Sequence, residues 1–139
     1  MTASTAALSR VLREARTIAV VGLSPKPERP SHGVARYLQR EGYQIIPIRP
    51  ATMEPILGQA VYPDLMQAAR DFPIDVVNIF RQSDALPSLV DDIIAVKPRL
   101  VWTQLGVVHE ESARRLEAAG ILVVMDRCLA VELHSLVGD

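Results

Sequence analysis

A parallel β-sheet covered by helices on both faces is the fold class this chain predicts, and three observations predict it. Several short runs rich in β-branched residues, among them Ile18-Ala19-Val20-Val21 and Ile74-Asp75-Val76-Val77-Asn78-Ile79-Phe80, lack the alternation of a half-wet strand, as strands buried on both faces do. Stretches with helical spacing separate those runs. Strands joined by helices form right-handed crossover units, which stack into a parallel sheet. At 139 residues, with 49% hydrophobic and only 4% aromatic residues, the chain suits one aliphatic α/β domain over 1–139.

The elements follow in order. Ser4 to Ala15 suits a short helix and Thr17 to Gly22 the first strand. Ser31 to Glu41 is a helix closed by Gly42, with Val34, Tyr37 and Leu38 recurring on its apolar face and Ser31 placed to cap it. Tyr43 to Ile48 is the second strand, stopped by Arg49-Pro50. Met53 to Gln59, with Pro55 and Gly58, suits an irregular loop, and Ala60 to Tyr62 a short edge strand before Pro63. Asp64 caps the next helix, and Ile74 to Phe80 is a deeply buried strand. Ser83 to Val96 is a helix with Leu86, Leu89, Val90, Ile93 and Ile94 on one face. Arg99 to Thr103, a helix from His109 to Ala119 ended by Gly120, a strand from Ile121 to Met125 and a helix from Leu129 to Leu136 complete the chain. The resulting architecture is Rossmann-like, with an expected strand order of 3-2-1-4-5-6 and a ligand crevice at the switch point.

The chemistry concentrates where the first strand ends. Gly22-Leu23-Ser24-Pro25-Lys26-Pro27-Glu28-Arg29-Pro30-Ser31 leaves a parallel strand through a glycine, carries two cations and enters a helix whose N-terminus attracts anions. It reads as a phosphate cradle. No glycine follows Gly22 until Gly33, so the three-glycine dinucleotide fingerprint is missing, and three prolines make the loop stiffer and more dependent on side chains. An ordinary βα connection with surface charges is the competing reading.

Composition excludes several functions. A net charge of −1 offers no broad footprint for nucleic acid, and few aromatics leave no stacking platform. No segment has the apolar length of a membrane span, and the first sixteen residues lack the apolar core of a signal peptide. Cys128 is the one cysteine, so no internal disulfide forms and a cytoplasmic protein is expected. His32, His109 and His134 lack metal-ligand spacing and suit capping or solvated roles. Asp75, Asp84, Asp91 and Asp92 suit capping and solvation, and Trp102 the core.

Polar residues gather at the expected strand ends: Ser24, Lys26, Arg29 and Ser31 after the first strand, then Arg49, Arg81, Gln104 and Asp126-Arg127. Cations dominate that rim in a nearly neutral protein, which favours a polyanionic ligand. The first loop, Ile46-Pro47-Ile48-Arg49-Pro50, Val76-Val77-Asn78-Ile79-Phe80-Arg81, Val101-Trp102-Thr103-Gln104-Leu105-Gly106 and Asp126-Arg127-Cys128 together resemble the small stand-alone CoA-binding proteins of the YccU-like group. Such proteins are similar to the CoA-binding Rossmann domain of succinyl-CoA synthetase and the nucleoside-diphosphate-forming acyl-CoA synthetases.

The resemblance implies CoA or acyl-CoA as the ligand. It places Gly22 and Ser24 near the phosphates, Lys26 and Arg29 in pairs with them, and Ser31 at the helix start. Phe80 and Arg81 form the opposite wall, Pro50 shapes the adenosine end and Gln104 meets the pantetheine amides. Arg49 stands where such proteins often have asparagine, and either approaches the adenosine phosphate or faces solvent. Cys128 beside Arg127 is either a thiolate poised for a mixed disulfide with CoA or a small packing residue.

Catalysis is not expected, because the chain has no room for the phosphohistidine and nucleotide-grasping domains of the ligases. A binding module, regulatory or carrier, is the preferred expectation. An NAD(P)-dependent oxidoreductase is the alternative from another class, opposed by the missing glycines and by Arg49 where an acidic residue belongs. A CoA-site subunit of a larger acyl-CoA synthetase, with an unidentified protein partner, is the third.

Overall fold

In the computed structural model, which describes residues 4–50 and 54–138, five parallel strands alternate with helices along the chain. They are β1 (Thr17–Val21), β2 (Gln44–Ile48), β3 (Val76–Ile79), β4 (Leu100–Thr103) and β5 (Leu122–Val124), in the order β2-β1-β3-β4-β5. In chain order the helices are α1 (Thr5–Glu14), α2 (Pro30–Arg40), α3 (Leu65–Asp71), α4 (Val90–Val96), α5 (Glu110–Ala118) and α6 (Leu129–Val137). Because the chain crosses from β1 to β2 on one side and to β3 on the other, the switch point lies between β1 and β3.

Side-chain alternation along the strands divides the core into two layers. Ile18, Val20, Ile45, Val76, Leu100, Trp102 and Val124 pack under α1, α2 and α6. Ala19, Val21, Ile46, Ile48, Val77, Ile79, Val101 and Val123 pack under α3, α4 and α5. Both faces are dry, which is why the strands read as unbroken apolar runs. The start of β1 is held from β3, where Asp75 Oδ2 accepts from the Arg16 and Thr17 amides at 2.7 and 3.1 Å. Gly42 closes α2 as expected: its N–H donates to Gln39 O and that of Tyr43 to Leu38 O, the paired bonds of a helix terminated by a left-handed residue.

Side chains cap three helices, at Asp64 and His109 as the sequence suggests and at Ser4 in addition. Ser4 accepts from Ala7 N at 3.1 Å, Asp64 Oδ1 from Gln67 N at 2.9 Å, and the His109 ring from Ser112 N at 3.2 Å. Helix α2 differs. It starts at Pro30 with Arg29 in the capping position, and Ser31 lies inside the first turn with its hydroxyl turned to the preceding loop. Proline is preorganised for the first helical position, so Pro30 draws the helix start one residue forward.

Two further expectations change. The edge strand at 60–62 shrinks to one parallel bridge between Ile48 and Tyr62, so the sheet keeps the expected order with its outermost member reduced. Pro47 is the cause: its carbonyl accepts from Tyr62 N at 2.9 Å, but proline has no N–H to extend a ladder on that side. The expected helix 83–96 becomes two 3₁₀ turns at Ser83–Ala85 and Pro87–Leu89 followed by α4. Pro87 cannot donate to Ser83 O, which instead accepts from Leu86 N at 3.1 Å. Of the expected loop 53–59, Met53 lies outside the described residues, and Ile56 to Gln59 form a tight turn through Leu57 and Gly58 at positive φ.

Candidate functional site

At the carboxyl edge of the sheet the last carbonyls of β2, β1 and β3 each hold the first residue of a neighbouring loop. Gly22 N–H donates to Ile48 O at 2.9 Å, Phe80 N–H to Val21 O at 2.8 Å, and Gln104 N–H to Ile79 O at 3.1 Å. Gly22, Phe80 and Gln104 therefore stand in a row along the rim. Gly22 has φ +87°, and a Cβ built on it would lie 2.5 Å from Phe80 O and 3.2 Å from Arg81 Cδ. Only glycine lets the loops after β1 and β3 approach this closely.

The loop after β1 is folded by its two serines. Ser31 Oγ, buried at 5% exposure, accepts from Ser24 N at 2.9 Å, and Ser24 Oγ accepts from Lys26 N at 3.1 Å. Ser24 keeps its O–H as a donor for a guest. Lys26 and Arg29 project into solvent, and among the described residues neither they nor Arg81 form an ion pair. Half-buried Arg49 crosses from the end of β2 and donates through Nη1 to Leu23 O at 3.4 Å.

These elements enclose a cleft of about 510 Å³, within the usual range of ligand sites. Eight of the ten sequence-derived candidates line it: Gly22, Ser24, Lys26, Arg29, Ser31, Arg49, Phe80 and Gln104. Arg81 stands at the lip with its stem beside Gly22, and exposed Pro50 lies outside the lining. Leu105 and Val107, which sequence reasoning did not single out, complete the wall after β4. Their signal was position alone: they follow Gln104 in a strand-end loop. Leu105 is 62% exposed and extends an apolar surface at the mouth.

The chemistry of the cleft is therefore polarised. The loops after β1 and β2 bring cations and hydroxyls to it, and those after β3 and β4 bring Phe80, Leu105 and Val107. Gln104 lines the cleft, and its Oε1 is buried without a hydrogen-bond partner. Among the described residues the lining holds no carboxylate, histidine or thiol.

Asp126 and Arg127 do not join this cationic surface. Arg127 Nε donates to Glu132 at 2.8 Å, a second guanidinium nitrogen also pairs with Glu132, and the group lies 5.6 Å from the Trp102 ring centroid. The bond to Glu132 raises the Arg127 pKa above its ordinary value. Cys128 is half-buried, packs against the core under α6 and lies outside the cleft lining. Arg127, its neighbour in sequence, is paired with Glu132.

Residues 16–134 match a family described as the CoA binding domain. The chain belongs to that family. It is 39% identical over 128 residues to the uncharacterized protein YneT of Bacillus subtilis, covering 92% of this chain and 93% of that one. A solved structure from Thermus thermophilus is 38% identical, with a TM-score of 0.89, 96% of this chain and 99% of that chain being covered. The apo dinucleotide forming acetyl-coenzyme A synthetase 1 of Ca. Korarchaeum cryptofilum is 25% identical, with a TM-score of 0.68 over 84% of this chain and 27% of that chain. This CoA-binding domain has, among its described residues, no helix long and apolar enough to cross a membrane.

Proposed function

We propose that this chain binds CoA or acyl-CoA in the cleft between the loops after β1 and β4, without chemistry of its own. Family membership supports CoA as the ligand. The observation that carries the placement is the two-sided lining of the cleft: cations and hydroxyls on the loops after β1 and β2, and an amide beside apolar groups on the loops after β3 and β4. CoA has matching parts, with phosphates at one end, amide N–H groups along the pantetheine arm and a thiol or acyl group beyond.

In this reading Lys26 and Arg29 pair with phosphate oxygens while Gly22 and the Ser24 hydroxyl approach them. Ser31 holds the loop in shape and Arg49 reaches the adenosine end with Pro50 beside it. Phe80 and Arg81 form the facing wall, and Gln104 Oε1 accepts from a pantetheine amide. The described lining has no carboxylate or histidine beside the Ser24 and Ser31 hydroxyls to take a proton from them, which supports binding without chemistry. The likeness to 27% of a synthetase chain favours a second reading, in which the domain lends its CoA site to a protein partner.

Calorimetric titration with CoA, dephospho-CoA and NAD tests the ligand. CoA should bind more tightly than NAD, because the loop reaches several phosphates but lacks the dinucleotide glycines. Dephospho-CoA should bind about tenfold more weakly than CoA if a cation meets the 3′-phosphate. NAD binding as tight as CoA would remove the reading.

A further inference from the structure

The wall that carries Gln104, Leu105 and Val107 is held from behind by side chains that do not line the cleft. Thr103, fully buried at the end of β4, donates its hydroxyl to Val107 O at 2.6 Å and accepts from Asp126 N at 3.1 Å. Asp126, at φ +63°, accepts from Gly106 N through Oδ1 at 2.6 Å. Ser83 donates to Gly106 O at 3.1 Å and accepts from Val108 N at 2.9 Å. Val107 N–H closes the turn on Gln104 O at 3.0 Å. Ser83 and Asp126, both distant in sequence, thus join Thr103 at its base in holding one five-residue loop.

We propose that Asp126 is a positioning residue for the distal, amide-bearing arm of the ligand: its carboxylate clamps Gly106 and sets the wall of Gln104, Leu105 and Val107. This rests on the CoA reading above. Asp126 lies outside the cleft lining, and its carboxylate makes a charge-assisted hydrogen bond to the Gly106 N–H. The adenosine and phosphate end touches other loops and owes nothing to this clamp.

The test compares wild type with Asp126→Gly, which keeps positive φ accessible and removes only the acceptor, and with Asp126→Asn, which keeps a neutral acceptor. Calorimetry is run with CoA and with adenosine 3′,5′-bisphosphate, and amide exchange is followed at Gly106 by NMR. Asp126→Gly should weaken CoA about tenfold and leave the bisphosphate within about twofold, with Asp126→Asn in between. Gly106 exchange should quicken in the same order, while the Gly22 amide stays protected. Equal losses for both ligands, unchanged CoA affinity or unchanged Gly106 exchange would each overturn the clamp. If wild type binds no CoA, the ligand reading falls separately, and Gly106 exchange still decides whether Asp126 holds the wall.

Discussion

The loops on the two sides of the cleft are built on opposite plans. The segment 24–30 after β1 is charged and proline-bearing, its shape comes from its own serines, and its cations reach into solvent. The segment 104–108 after β4 is mostly apolar, and its backbone is tied by the adjoining Thr103 and by Ser83 and Asp126 from other parts of the chain. The contrast matches the two tasks. Attraction of phosphate acts over several ångströms and tolerates mobile side chains, whereas contact with amides and apolar groups requires a surface held in place. Proline stiffens the first loop cheaply in sequence terms, since each ring restricts φ locally. The second obtains its stiffness from tertiary hydrogen bonds.

The comparison breaks most severely at Gly22, where the loop after β1 meets the loop after β3 across one missing Cβ. Gly22→Ala places a carbon 2.5 Å from Phe80 O at φ +87°, so the loops after β1 and β3 must separate. Strain and overpacking together should cost about 2–4 kcal/mol, read as a lower denaturation midpoint, with CoA affinity lost in the protein that remains folded. Wild-type stability would show that the close approach is dispensable.

A smaller effect separates charge from fold. Lys26→Ala and Arg29→Ala should each weaken CoA about tenfold at low salt while changing stability by no more than about 0.5 kcal/mol, because both side chains are exposed and outside any ion pair of the described residues. Affinity and chemical denaturation measured on the same samples check this. Stability losses larger than the affinity losses would mean that these cations serve the fold.

The smallest expected change is at Arg49, which contacts Leu23 O and lines the cleft. Arg49→Asn should weaken CoA most at low ionic strength, since the Debye length falls from ~30 Å at 0.01 M salt to ~10 Å at 0.1 M. Titrations of wild type and variant at both salt levels decide the matter. Equal affinities with parallel salt dependence would leave Arg49 a role in shaping the loop alone.

Much of this site was legible along the chain because strand ends are local features. A β-branched run followed by glycine marks where a parallel strand stops, and every such stop lies on the same edge of the sheet. Gly22, Ser24, Lys26, Arg29, Arg49, Phe80 and Gln104 therefore came together from order alone, as did the two core layers from unbroken apolar strands. The resemblance to CoA-binding proteins rested on the same strand-end motifs and agrees with the family match.

Other features were decided only in three dimensions. Ser31 looked like a helix cap, yet Pro30 starts the helix and turns that hydroxyl toward Ser24. Arg127 looked like a rim cation until Glu132, five residues on, took it up beside Trp102. The clamp of Thr103, Ser83 and Asp126 on residues 106–108 joins three segments whose pairing no local pattern encodes. Propensity and periodicity report what a residue prefers within a turn or two of chain, so the sequence by itself determined the strands, their ends and the charge they carry there. Which hydroxyl or carboxylate meets which distant backbone group depends on the packed sheet bringing them within hydrogen-bond distance, and that only the tertiary structure decided.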